Sequence, residues 1–340
     1  MHHLSCIMRS LWLWMGLLLA LGGCGVPSLL ITPVSSSTRL EETELRPGRG
    51  WAPAKIVIVE VEGMLLNART GGFLQPTEND LSLFVQELEK AQEDPRVAAV
   101  VLRVNSPGGT VATSDIMYQQ VLKFRQKTGR PVIASAQDVT ASGAYYVCCG
   151  ADRIVVHPTS VVGSIGVIFN AFDISGLMAK VGLRNEAVKS GSLKDMGSPL
   201  RPLEQQERKL MQEMVDEYFM RFAQLVRQHR PIKEAPLASA ASYQKPEYQG
   251  IFSGRVFSGE QAVALGLADQ AGTLDDAIEL ARQLAKAPKA KVVHYRRPYG
   301  YSGSIYAAGP TPPPSPGVIH LNIPPTRAML PTGFYYLWEP

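Results

Sequence analysis

Residues 139–152 read VTASGAYYVCCGAD. One hydroxyl, Ser142, stands between Ala141 and Gly143, directly ahead of an apolar run that ends in Cys148 and Cys149. Two chemistries suit a serine at the mouth of a buried helix. It can cap the helix, its oxygen accepting from an early backbone N–H. It can also be a nucleophile, because its own N–H and that of Gly143 would lie among unsatisfied N-terminal donors that favour negative charge. A nucleophilic serine needs a base, so the rest of the chain decides between the two.

Two residues could take that proton. His157, in VVHPTS, is the one histidine between Ser142 and the long helical stretch near 204–229. Lys194 lies in KSGSLKDMGSPL (189–200), a Gly/Ser-rich loop behind the short strand expected over NEAVK. An amine acts as a base only when neutral, so its site must bring the ordinary value of about 10.4 down towards neutrality, which burial among apolar groups does. A third stretch, RVNSPGGTV (103–111), closes a buried strand. Pro107 ends it, and Gly108-Gly109 lets the backbone turn and come close to another group. Free N–H groups there can receive an oxyanion. Taken singly, each stretch also has an ordinary reading: a cap, an exposed lysine, a tight strand-to-helix connection.

The elements around these stretches alternate. KIVIVEVEG (55–63) reads as a strand, NDLSLFVQELEKAQED as a helix capped by Asn79 or Asp80, and VAAVVLRV (97–104) as a strand buried on both faces. A helix over 114–127, strands at 131–136 and 153–158, and helices over 204–229, 258–267 and 274–286 follow. That order argues for parallel βαβ units and an α/β fold.

Composition narrows the class. The 340 residues are 45% hydrophobic with a net charge of +4, and no basic run suggests a nucleic-acid partner. Cys148 and Cys149 read as small buried hydrophobes, and no Cys/His spacing suits a metal. Arg9 precedes the apolar stretch LWLWMGLLLAL, which ends in LGGC at Cys24. Residues 1–24 therefore read as a signal peptide with a lipobox-like end and Cys24 as the acylated residue, or as an uncleaved membrane anchor. Residues 25–53 read as a flexible tether, 54–290 as one catalytic domain, and 291–340 as a Pro-rich tail whose aromatic end is an extended arm or irregular.

The three chemical stretches occur together and in order, and the chain from about Lys55 to Ala287 resembles the signal peptide peptidase A family. The matching stretches are DPRVAAVVLRVNSPGGTV (94–111), ASGAYYVCCGADRIVVHPTSVVGSIGVI (141–168), KSGSLKDMGSP (189–199) and SGRVFSGEQAVALGLADQAGTLDDAI (253–278). The resemblance implies a Clp-protease/crotonase-like fold with a repeated ββα/βαβ core in its short, single-copy form. It implies Ser142 as nucleophile, Lys194 as general base, Ser164 of GSIG as the residue that holds the lysine, and Gly108, Gly109 and Gly143 as oxyanion donors. Ala144 stands where relatives usually have a second glycine.

The resemblance further implies a membrane-associated serine endopeptidase that cleaves short apolar peptides such as remnant signal peptides. It would work in the bacterial cell envelope with its protease domain on the extracytoplasmic side. A homo-oligomeric ring is expected, in which one subunit's serine meets a neighbour's lysine, and no cofactor is implied. Two rivals share the fold: a crotonase-like acyl-CoA enzyme that needs neither Ser142 nor Lys194, and a non-catalytic envelope assembly.

Overall fold

The unbroken apolar runs form the centre of a sheet. In the computed structural model, which describes residues 40–50, 53–68, 79–232, 250–296 and 332–338, β2 (Lys55–Leu65), β3 (Val97–Thr110) and β4 (Val132–Ala141) are parallel neighbours. Alternate residues of these strands enter two separate cores. Val57, Val59, Val100 and Leu102 face one side, where α1 (Asp80–Glu93), α2 (Val111–Thr128), α3 (Gly143–Cys148) and α5 (Gln205–His229) pack. Ile56, Ile58, Ala99 and Val101 face the other, covered by Leu274, Ala277, Ile278 and Ala281 of α7 (Leu274–Leu284). Burying each such side chain stabilises the fold by about 1.5–3 kcal/mol, which is why these strands carry no polar alternation.

Outward from this centre the sheet runs through β10 (Lys291–Arg296) to the edge strand β1 (Glu41–Arg46) on one side. On the other it runs through β5 (Arg153–Val156) to β9 (Gln270–Ala271). The long strand β4 changes partner along its length. Ile133–Ala136 pair with β5, and Val139–Ala141 pair with β6 (Val161–Gly163), which in turn pairs antiparallel with β8 (Val256–Ser258). This fork brings the ends of β4 and β6 side by side at Ala141 and Gly163. The remaining strands are β7 (Ile168–Asn170) and β11 (Gly333–Leu337), and the short helices are α4 (Ser175–Lys180) and α6 (Gly259–Ala264).

Helix boundaries follow local chemistry. Asn79 caps α1, its side chain accepting from the N–H of Ser82 at 3.0 Å. Thr110 caps α2, which therefore starts three residues before the expected Ser114, and Gly129 ends it in the left-handed region at φ 65°. Cys148 and Cys149 are buried free thiols, and burial pushes the Cys149 thiol up to about 12, so both serve as small core residues.

Three segments differ from the sequence reading. Residues 41–46, within the expected tether, form β1 on β10, and the strands β10 and β11 both lie in the segment read as a tail. No strand forms over NEAVK, where residues 185–189 are exposed and unpaired with any other strand. The lipobox-like end at Cys24 and the proline run at 307–318 lie outside the described residues. Among the described residues, no helix is long and apolar enough to cross a membrane.

Candidate active site

Three strand ends meet at one place, and each ends in a residue that the sequence singles out. β4 leads into Ser142, β6 leads into Ser164, and β3 carries Pro107-Gly108-Gly109 near its end. Ser142 has φ 53° and ψ −116°, a conformation that L residues other than glycine rarely adopt. Its N–H donates to the Gly163 carbonyl at 2.7 Å, and its own carbonyl accepts from the Tyr146 N–H at 2.9 Å. The backbone on both sides is thus pinned, and the strain of about 1–3 kcal/mol is held by the surrounding fold. Its Oγ is fully buried and has no hydrogen-bond partner among the described residues. That rules out the capping role, since α3 has no side-chain cap bond.

Ser164 repeats the pattern. It is buried, sits at φ 50°, and its N–H donates to the Arg255 carbonyl at 2.8 Å. Two strained serines therefore stand at adjacent ends of parallel strands.

The Gly108-Gly109 turn faces them. Gly108 has φ +100°, and a Cβ there would come within 2.7 Å of the Gly143 nitrogen. A Cβ on Gly143 would lie 3.2 Å from the Gly109 nitrogen and 2.3 Å from Ser114 Oγ. Only glycines allow the two backbones to approach this closely. The Gly108 N–H is already engaged, donating to Ser106 Oγ at 3.1 Å, while Ser106 Oγ donates to the Gly63 carbonyl at 2.5 Å. Ser106 thereby locks the turn, a role that the motif NSPGG contains but that residue type alone does not reveal.

Lys194 is not bonded to Ser142 Oγ within the single chain. It is exposed, in a turn closed by its own N–H donating to the Gly191 carbonyl at 3.1 Å. Its neighbour Asp195 anchors the turn: Arg201 donates to it at 2.7 and 3.0 Å, and Lys189 at 2.8 Å. Arg201 also bonds the buried Glu207 at the start of α5. Arg201 and then Lys189 hold the Asp195 carboxyl well below the usual carboxylate range. Within one chain, then, the structure brings Ser142, Ser164, Gly108, Gly109 and Gly143 together, while the exposed Lys194 makes no hydrogen bond to Ser142 Oγ. His157 is exposed and pairs with Thr159 at 2.9 Å, in a tight local turn.

Beside the serine lies an aromatic wall that sequence reasoning missed. Tyr146 is buried, its hydroxyl donating to Asp115 at 2.7 Å, and its ring packs on Phe222 of α5 at 5.0 Å. Burial and the Asp115 carboxylate push the Tyr146 phenol far above its ordinary value, so it stays a neutral donor. Its partners on α5 are remote in sequence, which hides the wall from any reading of the ASGAYY stretch alone.

Peptidase family S49 matches residues 124–288, which include Ser142, Ser164 and Lys194. A putative protease of Methanocaldococcus jannaschii is 35% identical over 66% of this chain and 68% of its own length. A putative signal peptide peptidase SppA of Enterococcus faecium is 32% identical over 75% of this chain and 71% of its own. Protease 4 of Salmonella typhi is 32% identical over 62% of this chain but only 32% of its own length. The parallel centre of the sheet, covered by helices on both faces, is the α/β architecture that the alternating elements implied. The match to peptidase family S49 and to relatives named as proteases sets aside the acyl-CoA and non-catalytic readings. The chain belongs to peptidase family S49, the signal peptide peptidase A family, and is a serine peptidase.

Proposed function

We propose that Ser142 is the nucleophile of this peptidase and that Lys194 of a neighbouring copy is its general base. The observation that carries the reading is Ser142 itself: a non-glycine residue at positive φ with a buried, unpartnered Oγ, set against the close approach of Gly109 and Gly143. Strain of this kind persists where a fold over-determines it, and an active site is the usual reason. Ser142 Oγ attacks a peptide carbonyl while the neutral amine takes its proton. The N–H groups of Gly109 and Gly143 stabilise the oxyanion, each worth about 3 kcal/mol in comparable sites. The protonated amine then gives that proton to the departing amine, and water, activated by the same lysine, releases the acyl group and regenerates the serine. In this scheme Gly108 supplies the turn rather than a donor, because its N–H is held by Ser106. Ser164 holds the incoming amine.

Assembly of like copies is part of the proposal. The segment that carries Lys194 exposes Leu177, Val181, Leu183 and Val188, large apolar side chains that a contact between copies would cover. Such a contact joins unlike surfaces and closes as a ring. The stretch ending in Cys24 suits a lipid-modified or anchored N-terminus, which would hold the peptidase domain at a membrane of the bacterial envelope, on its extracytoplasmic side. Short apolar peptides such as remnant signal peptides are the substrates that this placement favours.

The test is hydrolysis of short apolar peptides by the detergent-solubilised full chain beside its Ser142→Ala and Lys194→Ala variants. Each substitution should lower kcat/KM by at least about a thousandfold with the melting temperature within a few degrees. Equal turnover in all three proteins contradicts the assignment.

A further inference from the structure

The exposed Lys194 stands on a base that is packed against the rest of the chain. Gly191 to Lys194 are exposed, Asp195 is half-buried, and Gly197 is buried. A Cβ on Gly197 would lie 3.4 Å from Phe169 Cζ of β7 and 3.9 Å from Met211 Cε of α5. Just ahead of α4, the Ile174 N–H donates to the Pro199 carbonyl at 2.8 Å. The segment thus runs from a solvent-facing tip at the lysine to a fixed foundation.

Arg201 joins that foundation to α5. One edge of its guanidinium grips Asp195, Nε donating to Oδ2 at 3.0 Å and Nη2 to Oδ1 at 2.7 Å. The other edge grips Glu207, Nη1 donating to Oε2 at 2.9 Å and Nη2 to Oε1. Forked, charge-assisted pairs of this kind fix direction as well as distance, and a lysine at 201 could not form them. Glu207 is itself immobile. Its side chain is 1% exposed, and its Oε2 also accepts from the Glu204 N–H at 3.0 Å in the capping box that starts α5. Arg201 holds the Glu207 carboxyl below the ordinary range, so the buried group stays ionised.

Asp195 is next to Lys194 in the chain, where a lysine ammonium could pair with it. Arg201 and Lys189 take its two oxygens instead, Lys189 donating to Oδ1 at 2.8 Å. The carboxylate beside the lysine is therefore already paired, and the lysine side chain is left to reach outward.

We propose that Arg201 is a positioning residue of the peptidase, which locks Asp195 to Glu207 and so aims Lys194 at Ser142 of a neighbouring copy. This rests on the reading of Lys194 as a base shared between copies. A lysine that crosses a subunit boundary is oriented by the chain that carries it. Displacing a catalytic group by about 1 Å costs on the order of a hundredfold in rate. Arg201 therefore belongs to the lysine's half of the site and does not act on a site whose lysine comes from another chain.

The experiment uses the detergent-solubilised full chain carrying Arg201→Lys, which keeps the charge and loses the fork. Asp195→Asn, which keeps the pair of Arg201 with Glu207, is the second variant and decides the matter if the first does not fold. On a short apolar peptide each should lower kcat by about a hundredfold and leave KM within about threefold, with the mass of the assembly unchanged. Each variant is then unfolded with an equal amount of Ser142→Ala or of Lys194→Ala protein and refolded. Mixing with Ser142→Ala should restore up to about a quarter of wild-type turnover, because sites form that join the variant's serine to an intact lysine turn. Mixing with Lys194→Ala should restore nothing, because every lysine present comes from a loosened turn. Wild-type kcat in Arg201→Lys or in Asp195→Asn overturns the proposal, as does rescue by Lys194→Ala. A loss that neither partner rescues, while Ser142→Ala and Lys194→Ala rescue each other, marks general damage and overturns it too. Failure of the shared dyad looks different: Ser142→Ala and Lys194→Ala then do not rescue each other, and the proposal falls with it.

Discussion

Two unfavourable features meet in Ser142, a positive φ and a buried hydroxyl without a partner. Glycine relieves both, because it takes φ 53° without a Cβ penalty and carries no polar atom to bury. Set against them is the greater freedom that glycine has in the unfolded chain. The balance favours the variant, so Ser142→Gly should be inactive yet more stable by about 1 kcal/mol, a rise of about 2–4 °C in Tm. Thermal unfolding beside the peptidase assay checks this, and a Tm that falls would show that the serine is unstrained. The type of residue at 142 was legible in ASGAYY, but its backbone angles were not. They follow from two bonds, to Gly163 and Tyr146, of which the first joins strands that the sequence leaves unordered.

Among the elements, the buried parallel strands were readable because continuous apolar runs such as VAAVVLRV suit a sheet covered on both faces. Edge elements were harder. β1 reads EETELR, its Glu42 pairs with the buried Lys55 and with Lys291, and its strand partner is β10, some 250 residues away by the numbering of Glu41 and Arg296. The alternation of Phe334 and Tyr336 was present in the tail, but the surrounding prolines masked it as irregular. β10 also buries a histidine. Arg296 Nε–H donates to His294 Nδ1 at 2.5 Å, so the ring is neutral with its proton on Nε2, towards Glu87 at 3.6 Å. Glu87 and Glu60 would favour the charged ring, but burial, with Arg296 and Arg103 adding to it, pulls His294 down to about 3. The unfolded chain takes up this proton near pH 6.5, as an ordinary histidine does. Between those values the unfolded state binds more protons, so stability rises with pH and is lost on acidification. His294→Gln should flatten the fall in Tm between pH 6.5 and 4, and an unchanged slope would exclude the ring as its source.

At the scale of the whole molecule, the chain holds a strained, buried serine and an exposed lysine that are not bonded to each other. The fold explains why neither moves to meet the other. Ser142 is pinned between β6 and α3, and the turn of Lys194 is clamped by Asp195 and Arg201 to the start of α5. NEAVK, expected as a strand, stays unpaired and Val188 is fully exposed, as the proposed contact with a neighbouring copy requires of a segment it would cover. A dyad shared across copies makes a claim that no single-chain enzyme satisfies. Ser142→Ala and Lys194→Ala proteins, each inactive alone, are unfolded together, reassembled in equal amounts, and assayed on a short apolar peptide. If every site takes its serine from one copy and its lysine from the next, random mixing restores up to about a quarter of wild-type turnover. Mixed assemblies that form, by mass, and yet stay as inactive as either parent would contradict the account.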